Sequence, residues 1–195
     1  MTRPEKISTI LGDVLIPSLG FFLWDWNIYF ISLFFILDQV AKETGQLFRL
    51  GKLKNQIDAS KKAFSLHFLI FIALILVIHL FNYLLHPSIH FLKEMNDFFW
   101  YKDAGVAQGF ILFPLLIFVE RTKHKMYMKT FSAEMHRAQW KMHTVQMATY
   151  LLLFLVLCLI QPLFKMGETS SFLSLIFGFA LVTLSSDKLS AFFPR

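Results

Sequence analysis

The sequence predicts an all-α integral membrane protein, a bundle of six short transmembrane helices joined by amphipathic connectors at the membrane surface. Of its 195 residues, 56% are apolar, 17% aromatic and only 16% charged, whereas a soluble domain has about 25% charged residues. The apolar residues form continuous runs and do not alternate with polar ones, which excludes a transmembrane β-barrel. We therefore expect a single membrane domain over residues 1–195, and neither a soluble enzyme nor a disordered chain.

The lengths of the apolar runs give the predicted spans, because a helix needs about 20 residues to cross the hydrocarbon layer. The six predicted spans are 7–23, 27–41, 63–85, 104–119, 144–164 and 172–188. The first two divide a long apolar stretch at Trp24-Asp25-Trp26, where two indole rings and a carboxylate suit the membrane surface. The alternative is one long helix over this stretch, which would leave five helices.

The distribution of basic residues sets the predicted orientation. The connectors 42–62 and 120–143 carry six lysines or arginines each, and with six helices, 16 of the 19 basic residues fall on one side. Cytoplasmic loops are enriched in Lys and Arg, so both termini are predicted to lie in the cytoplasm and the protein in the cytoplasmic (inner) membrane. Apolar residues three to four apart in 47–57 and 91–99 predict amphipathic helices on the membrane surface.

The net charge of +6 would suggest nucleic-acid binding in a soluble protein. Here the orientation in the membrane accounts for it, so we expect the lipid bilayer as partner and no nucleic acid. A homodimer or a membrane-protein partner is left open. The single cysteine, Cys158, excludes an internal disulfide.

Polar residues inside the apolar runs are the first candidates for function, because ionisable groups are costly in lipid. The candidates for an intramembrane polar site are Asp13, His79, Asn82, Gln108 and His143. For Asp13 a structural carboxylate, hydrogen-bonded to a neighbouring helix, is favoured over a proton or cation site. Three acids lie near the predicted cytoplasmic ends of helices, and each has a basic neighbour: Asp38, Glu120 and Asp187. We interpret them as ion pairs at the membrane surface. The alternative is that they line one shared acidic opening on the cytoplasmic side.

Three histidines, His79, His136 and His143, are the candidates for a metal site or for axial ligation of haem. His136 and His143 are seven residues apart and share one helical face. The chain has no CxxCH or HExxH motif, so we expect no metal and no cofactor.

Two stretches resemble a known family of small multi-helix membrane proteins. The first runs from Pro17 to Trp26 and leads into an aromatic-rich helix, and the second begins His136-Arg-Ala-Gln-Trp-Lys-Met-His143. They are similar to the domain-of-unknown-function family 6498, and the resemblance covers nearly the whole chain. The matching positions are Pro17, Gly20, Trp26, Arg137, His143 and Asp187. Leu37-Asp-Gln39 and Gln108-Gly109 depart from the family pattern, and the resemblance implies the fold type but no activity.

Three functions remain open at this point. The favoured one is a non-catalytic membrane scaffold or accessory subunit, because the intramembrane polar residues are few and scattered. The alternatives are a small transporter or channel with a polar interior, and a membrane-embedded haem, redox or lipid-modifying enzyme. The connectors are too short to hold a separate catalytic domain.

Overall fold

The computed structural model describes residues 11–53, 61–100, 108–127 and 133–192, with side chains described within 12–47, 65–100, 109–122 and 138–185. Over these residues the fold is all-α, with seven helices and no strands. A π-helical turn, Leu11–Leu15, leads into α1. The helices are α1 (Ile16–Leu23), α2 (Ile28–Leu53), α3 (Lys61–Leu85), α4 (Phe91–Trp100), α5 (Gln108–Tyr127), α6 (Ala133–Phe164) and α7 (Glu168–Phe192).

Six of these helices run alternately up and down, and the short α4 caps one end. We call this the Trp26 end, where α1 ends and α2 begins. At the opposite end, the Glu43 end, Glu43 of α2 lies beside His67 of α3 and His143 of α6. Helix α2 contacts every other helix, and its buried side chains, among them Ile28, Phe34 and Phe35, form the centre of the core.

Within the described ranges, three helices are long and apolar enough to cross a membrane: Ser65–Leu85, Ala138–Phe164 and Glu168–Ser185. Large apolar side chains such as Leu69, Leu159 and Phe177 are exposed on their outer surfaces, as expected for side chains solvated by lipid. Helix α2 differs because it carries Asp38, Lys42 and Glu43 near its middle and is enclosed by its neighbours.

The first apolar stretch forms two helices, as predicted, and the break is at the expected turn. The backbone N–H groups of Trp24 and Trp26 both donate to the Gly20 carbonyl, at 3.2 and 2.9 Å, and Asp25 has φ = 50°. Gly20 is required here because a Cβ at this position would overlap the Trp26 indole ring. The alternative of one continuous helix is therefore wrong.

Several helices extend beyond the predicted membrane spans, because the prediction ended each span where the chain becomes polar. Helix α2 continues twelve residues past 41, so much of the predicted surface connector 42–62 is one helix with the preceding span. Helix α6 begins eleven residues before 144, and α7 extends beyond 172–188 at both ends. A helix satisfies its own backbone hydrogen bonds, so it does not have to end where the hydrocarbon does. Residues 104–107 of the fourth predicted span lie outside the described residues.

Candidate metal centre

Three potential metal ligands from three different helices meet at the Glu43 end. Glu43 of α2, His67 of α3 and His143 of α6 each offer one ligand atom, and these atoms all lie within 4.8 Å of one another. The Nε2 atoms of His67 and His143 each lie 2.8 Å from a carboxylate oxygen of Glu43. The exposed fractions of the three side chains are 16%, 4% and 8%, so the cluster is largely shielded from solvent.

The packing of α3 against α6 positions the two histidines. His67 lies in the second turn of α3, and its Nδ1 is 2.7 Å from the Thr144 hydroxyl of α6. His143 immediately precedes Thr144 on α6, and the centroids of the His67 and His143 imidazole rings are 5.6 Å apart. Trp140, one turn earlier on α6, places its ring 4.7 Å from that of His67 and so restricts the orientation of the imidazole.

The Thr144 hydroxyl determines which nitrogen of His67 carries a proton. A hydroxyl has one proton to donate, and the Thr144 hydroxyl donates it to the Trp140 carbonyl at 2.9 Å. Thr144 Oγ1 must then accept a hydrogen bond from His67 Nδ1–H. In the neutral tautomer, Nε2 therefore has no proton and directs its lone pair at the Glu43 carboxylate. Two lone pairs 2.8 Å apart require a cation between them, which is either a second proton on His67 or a metal ion.

The carboxylate of Glu43 is available to bind such a cation. Burial raises the pKa of Glu43, but hydrogen bonds from His143 and His67 and their charges outweigh the burial and lower the pKa to about 2. The group is therefore ionised at neutral pH, as a metal ligand must be, and a bound metal ion would take the place of the imidazole protons that lower this pKa.

Two imidazoles and one carboxylate are a donor set that suits zinc and similar transition metals. In a tetrahedral zinc site with bonds near 2.0–2.1 Å, neighbouring ligand atoms are about 3.3 Å apart. The observed 2.8 Å separations would have to widen by about 0.5 Å, which small side-chain rotations supply. The bond from His67 Nδ1 to Thr144 is the outer-shell contact that metal-binding histidines ordinarily make.

A second polar network lies next to this cluster, around Lys42 on α2. Its ammonium group pairs with Asp38 one turn earlier on the same helix and lies 3.8 Å from Asp13 in the π-helical turn. Asp13 also accepts a hydrogen bond from Thr183 of α7 at 3.3 Å, and Thr183 contacts Tyr150 of α6. Burial lowers the pKa of Lys42, but the two carboxylates hold it well above its usual value. The network ties the π-helical turn to three helices.

The structure does not bring the predicted intramembrane candidates into one site. Asp13 belongs to the Lys42 network and His143 to the metal cluster. His79 contacts Tyr29 at 3.3 Å and the Ile75 carbonyl at 2.8 Å, toward the Trp26 end. Asn82 donates to Ser32 and to the carbonyl one turn earlier on α3.

The remaining candidates lie outside the metal cluster or have side chains outside the described residues. Asp38 pairs with Lys42, as its basic neighbour suggested. Glu120 on α5 is near enough to Lys42 to influence its pKa. Gln108 begins α5, but its side chain lies outside the described residues, as do the side chains of His136 and Asp187.

Sequence reasoning missed Glu43, His67 and Thr144. Glu43 lies in the predicted connector 42–62, and His67 lies near the start of the predicted span 63–85. The available signal was the position of one acid and two histidines at three helix ends that alternating topology places on the same side of the membrane.

Comparison with protein-family models, curated proteins and solved structures gives no match. The resemblance to the domain-of-unknown-function family 6498 stays a prediction, and the function has to be argued from the site alone.

Proposed function

We propose that this chain is a multi-pass membrane protein that binds one divalent transition-metal ion, best matched by zinc, between α2, α3 and α6. The observation that carries the proposal is the buried convergence of Glu43, His67 and His143, with Nδ1 of His67 committed to Thr144. Imidazole ligands favour zinc and its transition-metal neighbours, whereas magnesium and calcium favour sites made of oxygen atoms.

We further propose that six helices cross the cytoplasmic membrane, with both termini and the Glu43 end in the cytoplasm. The support is the alternating direction of α1, α2, α3, α5, α6 and α7, of which α1 has only eight residues, together with the six basic residues in each of the predicted connectors 42–62 and 120–143. The metal would then be taken from the cytoplasm and held near the level of the lipid headgroups.

A structural role for the metal, in a non-catalytic scaffold or accessory subunit, fits the interior better than transport. On α3, His67 and the next buried polar cluster around His79 are twelve residues apart, about 18 Å along the helix. The buried side chains of α3 between them, Leu74 and Ile78, are apolar, as is Phe154 of α6, although the polar groups of Gln146, Tyr150 and Thr183 lie closer to the Glu43 end. An ion leaving the Glu43 cluster would meet this apolar layer, whereas an ion that stays there cross-links three helices.

Axial ligation of a haem by His67 and His143 is disfavoured by the same geometry. Both Nε2 atoms contact the carboxylate of Glu43 at 2.8 Å, which leaves no room for a porphyrin between the two rings.

The test is zinc binding by the detergent-purified protein, measured by competition with a chromophoric chelator after treatment with EDTA. We expect one zinc ion per chain, and at least a 100-fold loss of affinity in each of His67→Ala, His143→Ala and Glu43→Gln. The matched control is His79→Ala on α3, whose imidazole contacts Tyr29 and not the cluster, and it should bind like the wild type. Wild-type protein without zinc affinity, or equal losses in the control, would contradict the proposal.

A further inference from the structure

The three ligands leave one position of a tetrahedral metal site to be filled. Gln46 of α2 has an exposed fraction of only 7%, and its Oε1 atom is buried with no hydrogen-bond partner in the described part of the chain. A buried amide oxygen without a partner is costly, so its occurrence calls for an explanation.

The position of Gln46 supplies that explanation. It lies three residues after Glu43 in a continuous helix, and residues three apart are neighbours on one helical face. Two other buried amide oxygens without partners, those of Asn82 and Gln161, belong to α3 and α6 near the Trp26 end, far from the cluster.

We propose that Oε1 of Gln46 is the fourth ligand of the metal bound by Glu43, His67 and His143. This inference rests on the proposed function and adds to it. An amide carbonyl is a neutral oxygen donor that needs no deprotonation, and binding the metal would satisfy the orphaned atom.

A fourth protein ligand determines what the metal can do. Structural zinc sites are closed by four protein ligands, whereas catalytic sites keep one position for water or substrate. With Gln46 bound, the site is closed and has no water to activate, which agrees with a metal that holds helices together.

The test compares Gln46→Met with Gln39→Met in the full-length protein in detergent. Gln39 is a matched control because it is a buried glutamine on the same helix, four residues before Glu43, whose amide contacts Asp38. We expect Gln46→Met to lower zinc affinity about 10- to 100-fold and Gln39→Met to leave it unchanged. With cobalt(II) as a spectroscopic substitute, we expect strong tetrahedral d–d bands in the wild type, and weaker, shifted bands in Gln46→Met as water enters the open position.

Unchanged zinc affinity and an unchanged cobalt spectrum in Gln46→Met would overturn the assignment of Gln46 while leaving the three-ligand site in place. Equal losses in both methionine variants would overturn it too, because they would reflect packing. If Gln46→Met does not fold, Gln46→Glu decides: a carboxylate at this position should bind zinc at least as tightly as the wild type, and weaker binding contradicts the proposal. Failure of the wild type to bind zinc would instead refute the proposed function.

Discussion

Replacing Thr144 by valine tests the outer shell of the proposed metal centre. Valine keeps the shape of the threonine side chain but removes the hydroxyl that accepts the 2.7 Å hydrogen bond from His67 Nδ1. Loss of an outer-shell partner of a metal ligand typically lowers metal affinity 10- to 100-fold, which corresponds to about 1.4–2.8 kcal/mol. The metal-free protein should also lose stability, because a buried N–H left without an acceptor costs about 1–3 kcal/mol.

The matched control is Thr149→Val on the same helix. Both threonines donate to the carbonyl four residues earlier, at 2.9 and 2.8 Å, but Thr144 alone of the two contacts a histidine. We expect zinc competition to separate the variants by at least tenfold, and thermal unfolding without metal to show a lower Tm for Thr144→Val. Equal zinc affinities in the two variants would refute the idea that Thr144 fixes the tautomer of His67. Thr144→Ser should restore binding.

Three further predictions concern the rest of the bundle. Gly20→Ala should destabilise the fold by about 1–3 kcal/mol, because the added methyl group would overlap the Trp26 ring. The control Gly12→Ala should not destabilise it, because a methyl group there meets no atom within 4 Å. Equal Tm values for the two variants would contradict this prediction. Lys42→Met should lower the free energy of unfolding by about 3–5 kcal/mol, since it removes the cation that lies between the buried Asp13 and the half-buried Asp38, and an unchanged Tm would show that the pairing contributes nothing. In the metal-free protein, the folded-state pKa of Glu43 lies near 2, below its ordinary 4.5, so the stability difference between wild type and Glu43→Gln should shrink as the pH falls from about 4.5 toward 2. A difference that stays the same over this range would contradict the assignment.

Much of the fold could be predicted from composition and the lengths of apolar runs. The turn at Trp24-Asp25-Trp26 was recognisable because aromatic and charged residues interrupt an apolar stretch that is too long for one crossing. Helix ends were not predictable in the same way, because lipid solvation sets where a span ends but not where backbone hydrogen bonding ends. Helix α2 accordingly continues from Ile28 to Leu53 through the charged residues that the prediction assigned to a connector.

The candidate site was harder to predict, because it depends on which helix neighbours which. Glu43, His67 and His143 are 24 and 76 residues apart in the chain, and no spacing motif links them. The packing of α3 against α6 brings His67 beside Thr144. Which helices pack together cannot be predicted from apolar sequences that contain no repeat. His143 was a candidate because it begins an apolar run and shares a helical face with His136, whereas Glu43 fell inside the predicted connector 42–62 and was not among the candidates.

The most direct test of the metal centre is X-ray absorption at the zinc edge on the purified, zinc-loaded protein. We predict a first shell of four nitrogen or oxygen atoms near 2.0 Å, with the outer-shell scattering of two imidazole rings that falls to one ring in His143→Ala. A sulfur shell near 2.3 Å, a six-oxygen shell typical of hydrated ions, or a spectrum unchanged by His143→Ala would contradict the claim that Glu43, His67 and His143 hold a metal ion.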